Sequence, residues 1–553
     1  MMILGVHVHI WIVMTLYFVT MLLIGWWSRR RAKNSEGYLV GHRRFGVFMM
    51  IMHAFGAGTN PGDAAGVISR TVSHGVSGIW VSWLWLFGTP FYWLIAPIIR
   101  RMRCLTMADF YEERFGKIPS MLYIFIASTG MIVCLASVLL ATSRTVQGLI
   151  GLAADPNETW FFIILFVTTF TFMLYGYWGG IVAAIRADTI HGTMIIILSF
   201  IAIPSMLQLG SVGGLEGIRT TLGAASTDQA QYLRLFDPAS FNLLTIILLC
   251  INAPLSSLAF PHLISVCAAG RTEWEGRVGF SYGALIKRFC TIGWCLLGLA
   301  WLTYLINEGM TVHPDAAFGD SIRRIFPPVL QGVMLACIMA AAMSSGDAFQ
   351  VTIAGLISQG LYRKYLNPQA PDEQVMRVTK LAGIGVVIAA VIIVILMRHS
   401  VVTTILDYFN ILGLVGVSAA LGLVWRRMNG AGMLSCTLTA TVVFVVTRYG
   451  FDFSRQVTIG CPILAGLLAG IVGSLLTAPP SAERIEKFYG KIYCPIGQEE
   501  KLGLPLAEIV PTSRRWLTAG GLFVVKPTLQ TFLGFWLLMG ICFACVGFMM
   551  MLF

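Results

Sequence analysis

The chemically capable residues of this chain concentrate in one apolar stretch, Phe55 to Val67, which reads FGAGTNPGDAAGV. Asp63 brings a carboxylate and Asn60 an amide into a segment long and apolar enough to lie at membrane depth. Ionisable groups there are costly and mostly functional. Gly56, Gly58 and Gly62 are poor helix formers, and Pro61 removes a donor and clashes with the preceding turn, so the helix is expected to break. Hydrocarbon offers no partner to the freed carbonyls, so such a break is buried in protein or lines a polar cavity. Secondary transporters use discontinuous helices of this kind to hold a coupling ion and a substrate. The competing reading is a proline-kinked structural helix.

A second interrupted stretch, Phe241 to Ala268, contains Asn252-Ala253-Pro254, Ser256, Ser257 and Phe260-Pro261-His262. Asn60, Asn252 and Ser256 are expected at the two breaks, where amide and hydroxyl groups orient a solute without requiring its charge. Two roles are open to Asp63. It can meet a cationic or polyhydroxy solute, or it can be neutralised by Arg144 on a neighbouring span, in which case neither touches solute. Left unpaired, Arg144 favours an anionic solute. Ser82, Trp83 and Trp85 are candidate pocket walls, although the aromatic run Trp80 to Trp93 equally suits lipid-interface packing. Asn410 is a further candidate.

The elements that must position these groups are membrane spans. The 553 residues are 57% hydrophobic and 12% charged, against roughly 25% charged in soluble domains. Apolar runs of spanning length fall near 8–28, 46–70, 75–99, 119–151, 159–178, 183–209, 239–267, 280–306, 326–362, 376–398, 402–425, 431–449, 457–477 and 531–553, about fourteen in all. Most Lys and Arg fall in the loops after odd-numbered spans, including the clusters Arg271 to Arg288 and Arg484 to Lys526. The positive-inside rule then makes those loops cytoplasmic and puts both termini outside. The first span, followed rather than preceded by basic residues, is a retained helix and not a secretory signal. The longest extramembrane piece, about 478–530, is cytoplasmic by the same count. The net charge of +12 orients helices; no basic stretch interleaved with exposed aromatics points to nucleic acid. No P-loop or hydrolase motif occurs, which argues against an ATP-driven pump, an attached kinase or an intramembrane enzyme. The twelve cysteines are scattered and form no disulfide framework, and the one pair at metal spacing, Cys542 and Cys545, lies within the last span and reads as packing.

Several segments resemble the sodium:solute symporter family. Leu105 to Gly116 (LTMADFYEERFG) resembles its segment after the third span, and Gly179-Gly180 with Ala183 and Ala187-Asp188 resembles its "GGxxAVxxTDxxQ", with His191 in place of the final Gln. Ala340 to Ser345 (AAAMSS) resembles "AALMSS", Pro261-His262 resembles "GQPH", and Gly413 to Arg427 resembles the glycine-rich tenth core helix. The resemblance covers roughly residues 40–430. It implies an all-α polytopic membrane protein with a LeuT-type five-plus-five inverted-repeat core. The implied divisions are an extra helix and loop at 1–45, a first repeat at 46–209, a second at 210–428, and extra helices with the 478–530 loop at 429–553.

It further implies Na+ as coupling ion, held by the carbonyls of Gly56 and Thr59 on the first core helix, the carbonyl of Ala341, and the hydroxyls of Ser344 and Ser345 on the eighth. Oxygen ligands suit a small hard cation. A second family sodium site would use Asp188 and two serines, but Asp347 and Ala348 stand at those positions. Asp188 and Asp347 are therefore expected either to share a proton, since like charges raise one carboxyl's pKa, or to have Arg186 or another cation neutralise Asp347. The implied activity is sodium-driven import of a small polar solute across the plasma membrane, that of a bacterial inner membrane, without nucleotide. A proton-coupled carrier on the same fold and a non-transporting membrane sensor are the alternatives.

Overall fold

The computed structural model describes the chain except residues 1, 4–5, 29–34, 153–157, 226–230, 239–240, 398–399 and 452, and the side chains of 2, 3, 6, 25, 28, 35, 171–172, 174–180 and 519. It is a helical assembly with two short antiparallel strand pairs, Met2–Ile3 with Val6–His7 and Arg515–Leu517 with Val524–Val525. Among the described residues nine helices are long and apolar enough to cross a membrane, and four shorter apolar helices accompany them. This tally of helices does not reproduce the expected count of about fourteen spans, two of them interrupted.

The first break lies where the glycines and proline predicted. Val47–Ala57 ends in a turn closed by Gly58 N–H to Ala54 O (3.1 Å) and Thr59 N–H to Gly56 O (3.1 Å). Pro61 then opens the helix Pro61–His74 at its first position, where a missing N–H costs nothing. The Asn60 N–H donates to Asp63 Oδ2 (2.9 Å), so Asp63 satisfies an end of its own helix.

The expected span 75–99 is replaced by the 3-10 turn Gly75–Ile79, the short helix Trp80–Trp83 and the helix Thr89–Arg101, which Pro90 starts. In the second interrupted stretch, helix Leu243–Ala259 runs through Pro254 and stops only at Phe260, which is extended (φ −61°, ψ 117°), before Leu263–Ala268. Phe260 precedes Pro261, whose ring disfavours helical backbone at the residue before it. Asn252 and Ser256 therefore lie inside a helix and not at a break, as had been expected. Helical backbone also continues from Thr159 to Leu207, where two spans separated near Gly179-Gly180 were expected; glycine weakens a helix by about 1 kcal/mol without necessarily ending it.

The helix Glu273–Asn307 holds the break in place. It begins at Thr272, whose side chain and Glu275 form a capping box, well before the expected start at 280. Gly279 and Gly283 let it lie against the first core helix. A Cβ at Gly279 would meet the Met50 Cβ at 2.7 Å, and one at Gly283 the Ile51 carbonyl oxygen at 2.7 Å. Small residues four apart permit such contact. Lys287 follows on the same face after another four residues, so this packing delivers its side chain to the break.

The Leu105–Gly116 segment owes its form to a different task. Arg114 is fully buried, and its Nε and Nη2 groups donate to the carbonyls of Gly422 and Trp425 (2.9 Å each). These oxygens lie at the end of the helix Val401–Val424, where carbonyls lack intrahelical partners. Replacing Arg114 by Met is expected to lower stability by about 2–4 kcal/mol through loss of two charge-assisted bonds, measurable as an earlier thermal transition.

Candidate functional site

Three backbone carbonyls near the break are taken by side chains from two other helices. Ser345, on the helix Pro328–Gly355, donates to Gly56 O (3.2 Å) and Thr59 O (3.1 Å). Lys287 donates to Gly58 O (2.5 Å) and pairs with Asp63 Oδ2 (2.8 Å). The structure thus brings together Gly56, Thr59, Ser344 and Ser345, all buried. Ala341 lies one helical turn before Ser345, on the same face. A Cβ on Gly56 would meet Ser344 Oγ at 2.6 Å, so only glycine allows this approach. Ser344 donates to Asp188 Oδ1, which leaves its lone pairs available to a cation. For Ser345 to offer a lone pair, its proton must turn away from the two carbonyls.

Asp188 also meets His53 Nδ1 (2.7 Å) and lies 3.8 Å from His191 Nδ1, while Tyr17 OH is 3.1 Å from His191 Nε2. All four residues are buried. Asp347 is buried too, but neither of its oxygens has a hydrogen-bond partner. No hydrogen bond joins the two carboxylates in this arrangement, in which Asp188 is bonded to His53 and Ser344. Nor does Arg186 reach Asp347; its guanidinium lies 4.4 Å from the Trp27 ring.

The Asp63–Arg144 pair, one of the two roles open to Asp63, does not form in this arrangement. Arg144 pairs with Glu158 (2.8 Å), bonds Gln147 (3.1 Å) and lies over Phe161. Asp63 has Lys287 instead and is therefore not free to bind a cationic solute through a bare charge.

Beside the break is a cavity of about 70 Å³, lined by Thr59, Asn60, Trp85, Lys287, Arg288 and Tyr408 among others. Asn60 and Trp85 are thus solute candidates that the structure places on its wall. Ser82 is not among the lining residues: its hydroxyl bonds Thr291 (3.0 Å). Trp83 donates to the Arg288 carbonyl (3.2 Å). Asn252 faces Asn410 (3.5 Å) in a separate small cavity, and Ser256 bonds back to Ala253 O (3.1 Å). Lys287 and Arg288 escaped sequence reasoning because they were counted with the loop charges after Arg271. The signal was available in the capping box at Thr272 and in the four-residue spacing of Gly279, Gly283 and Lys287.

The family model described as "Sodium:solute symporter family" matches residues 38–440, most of the chain. The chain belongs to the sodium:solute symporter family. The osmoregulated proline transporter OpuE of Bacillus subtilis is 26% identical over 86% of this chain and 96% of its own length. The sodium/pantothenate symporter of Haemophilus influenzae is 22% identical over 84% of this chain and 94% of its own. The fold matches that of a Na+-coupled sialic acid symporter in a substrate-bound outward-open state, with TM-score 0.73, 18% identity, and coverage of 86% of this chain and 98% of that one. This symporter-family member is accordingly a multi-pass membrane transporter rather than an enzyme.

Proposed function

We propose that the protein is a sodium-coupled importer of a small polar organic solute that works by alternating access. Na+ is the coupling ion and is carried as co-substrate. The observation that supports this most directly is the convergence of the Gly56 and Thr59 carbonyls on the Ser345 hydroxyl, with Ser344 alongside. Those oxygens, with the Ala341 carbonyl, make an all-oxygen set of the kind a hard cation prefers.

Sodium between the broken helix and the helix Pro328–Gly355 links two bodies that must separate when the site opens inward. Its binding therefore favours the arrangement in which they are together, and loss of the ion to the cytoplasm releases them. In this reading one helix bundle rocks against the other, the membrane is a bacterial inner membrane, and both termini lie outside. The solute occupies the cavity at Asn60 and Trp85. Membrane potential adds about 2.3 kcal/mol per charge per 100 mV to the inward drive.

Binding of radioactive sodium to purified protein tests the site. Saturable binding is expected, with affinity lowered about tenfold or more in Ser345→Ala, a loss of at least ~1.4 kcal/mol. Unchanged affinity in that variant would remove Ser345 from the ion site.

A second reading, proton coupling, is favoured by the buried Asp188–His53 contact and the unpartnered carboxylate of Asp347. It predicts uptake that is indifferent to sodium and abolished by Asp347→Asn.

A further inference from the structure

This inference rests on the symporter reading and concerns the chemical class of its solute. The charged groups lining the cavity are Lys287 and Arg288, and no acidic residue is among the lining residues. Lys287 is balanced by Asp63 at 2.8 Å. Arg288 is not balanced. It is 2% exposed, its Nε and Nη1 groups donate to the Thr89 hydroxyl (3.3 Å) and the Ser82 carbonyl (3.1 Å), and no carboxylate lies within ion-pair distance among the described residues.

Neutral oxygens orient a guanidinium but do not cancel its charge, and an uncancelled charge at membrane depth is expensive to keep. Two hydrogen bonds fix the plane of the group and the Tyr92 hydroxyl on the cavity wall bonds it as well, so among the described residues its partners are neutral oxygens. A fixed guanidinium suits a carboxylate, which it meets with directional, charge-assisted bonds. The rest of the wall suits a compact apolar body: Trp85, Phe260 and Phe280 rings line it, with Tyr408 contributing a hydroxyl.

We propose that the solute is a small organic acid carried as its monoanion, with its carboxylate seated on Arg288. Asp63 holds Lys287 at the helix break and so sets the uncompensated charge of the pocket at one. An α-amino acid fits this pocket poorly. Its ammonium would lie among two cations, and Asp63, absent from the cavity wall and committed to Lys287, offers it no carboxylate. The inferred solute class thereby differs from the proline that two of its relatives are named for.

Thermal stability of the purified full chain in sodium, with propanoate, butanoate, propanamide or proline added, tests this. The acids are expected to raise the transition, and propanamide and proline to leave it unmoved. In Arg288→Gln the propanoate affinity is expected to fall roughly 30-fold, with the sodium-dependent rise retained; Arg288→Lys keeps part of the response. Stabilisation by propanamide or proline equal to that by propanoate would overturn the proposal. So would failure of both acids to stabilise a protein that still responds to sodium. Stabilisation by propanoate without any sodium response would uphold the solute class and count against sodium coupling, which keeps the two readings separable.

Discussion

Replacing Lys287 by Met is expected to be among the most damaging single changes in this protein, costing about 3–5 kcal/mol of stability. The reason is the partner left behind. Asp63 is 1% exposed, and among the described residues its Oδ2 is held by Lys287 and the Asn60 N–H alone, while Oδ1 has no hydrogen-bond partner. Without the ammonium a full negative charge is buried at a helix break, and Gly58 O loses its donor as well. The double variant Lys287→Met/Asp63→Asn removes both charges and keeps an oxygen for the Asn60 N–H. It is expected to recover most of the loss. A thermal or denaturant series over the two single variants and the double gives the coupling directly. Additive losses in the double variant would show that the pair does not act as a unit.

The second large effect is expected at Gly56. An added Cβ would stand 2.6 Å from Ser344 Oγ and 3.2 Å from Asp188 Cγ. Real Cβ atoms do not approach oxygen so closely, so Gly56→Ala must push the helix Pro328–Gly355 away from the break or turn Ser344 out. Overpacking of this kind costs about 1–3 kcal/mol. The cost to ion binding is larger in effect, because the Gly56 carbonyl and the Ser345 hydroxyl are drawn apart together. Sodium affinity is expected to fall at least about tenfold while the protein still inserts and purifies. Sodium binding measured on the variant at matched protein recovery checks this, and wild-type affinity in Gly56→Ala would mean the two helices do not close on an ion there.

How far the site could be read in advance depended on the kind of signal. The first break was legible because Gly58, Asn60 and Pro61 each oppose helix or begin a new one, and the backbone breaks at those residues. The second was misplaced because two prolines competed. Pro254 is absorbed within Leu243–Ala259, whereas Phe260, just before Pro261, leaves helical geometry. The oxygen set at Gly56, Thr59, Ser344 and Ser345 came from resemblance, and no periodicity in the chain announces that Ser345 reaches two carbonyls of another helix. Charges were hardest to read. Asp63 and Arg144 are both visible in apolar spans, but pairing is a matter of which helices touch, and each took a partner that sequence distance does not suggest. Lys287 was hidden among loop charges until the capping box at Thr272 moved the start of its helix outward.

The central claim, that this transporter is driven by sodium held at the first break, is tested most directly by the stability of the wild-type protein in sodium against choline at equal ionic strength. A ligand that binds only the folded form stabilises it by RT ln(1 + [L]/Kd), about 2.7 kcal/mol at a hundredfold excess over Kd. The account predicts a saturable, sodium-specific rise of that order that disappears in Ser344→Ala/Ser345→Ala. Superimposable transitions in sodium and choline over a wide concentration range would contradict it.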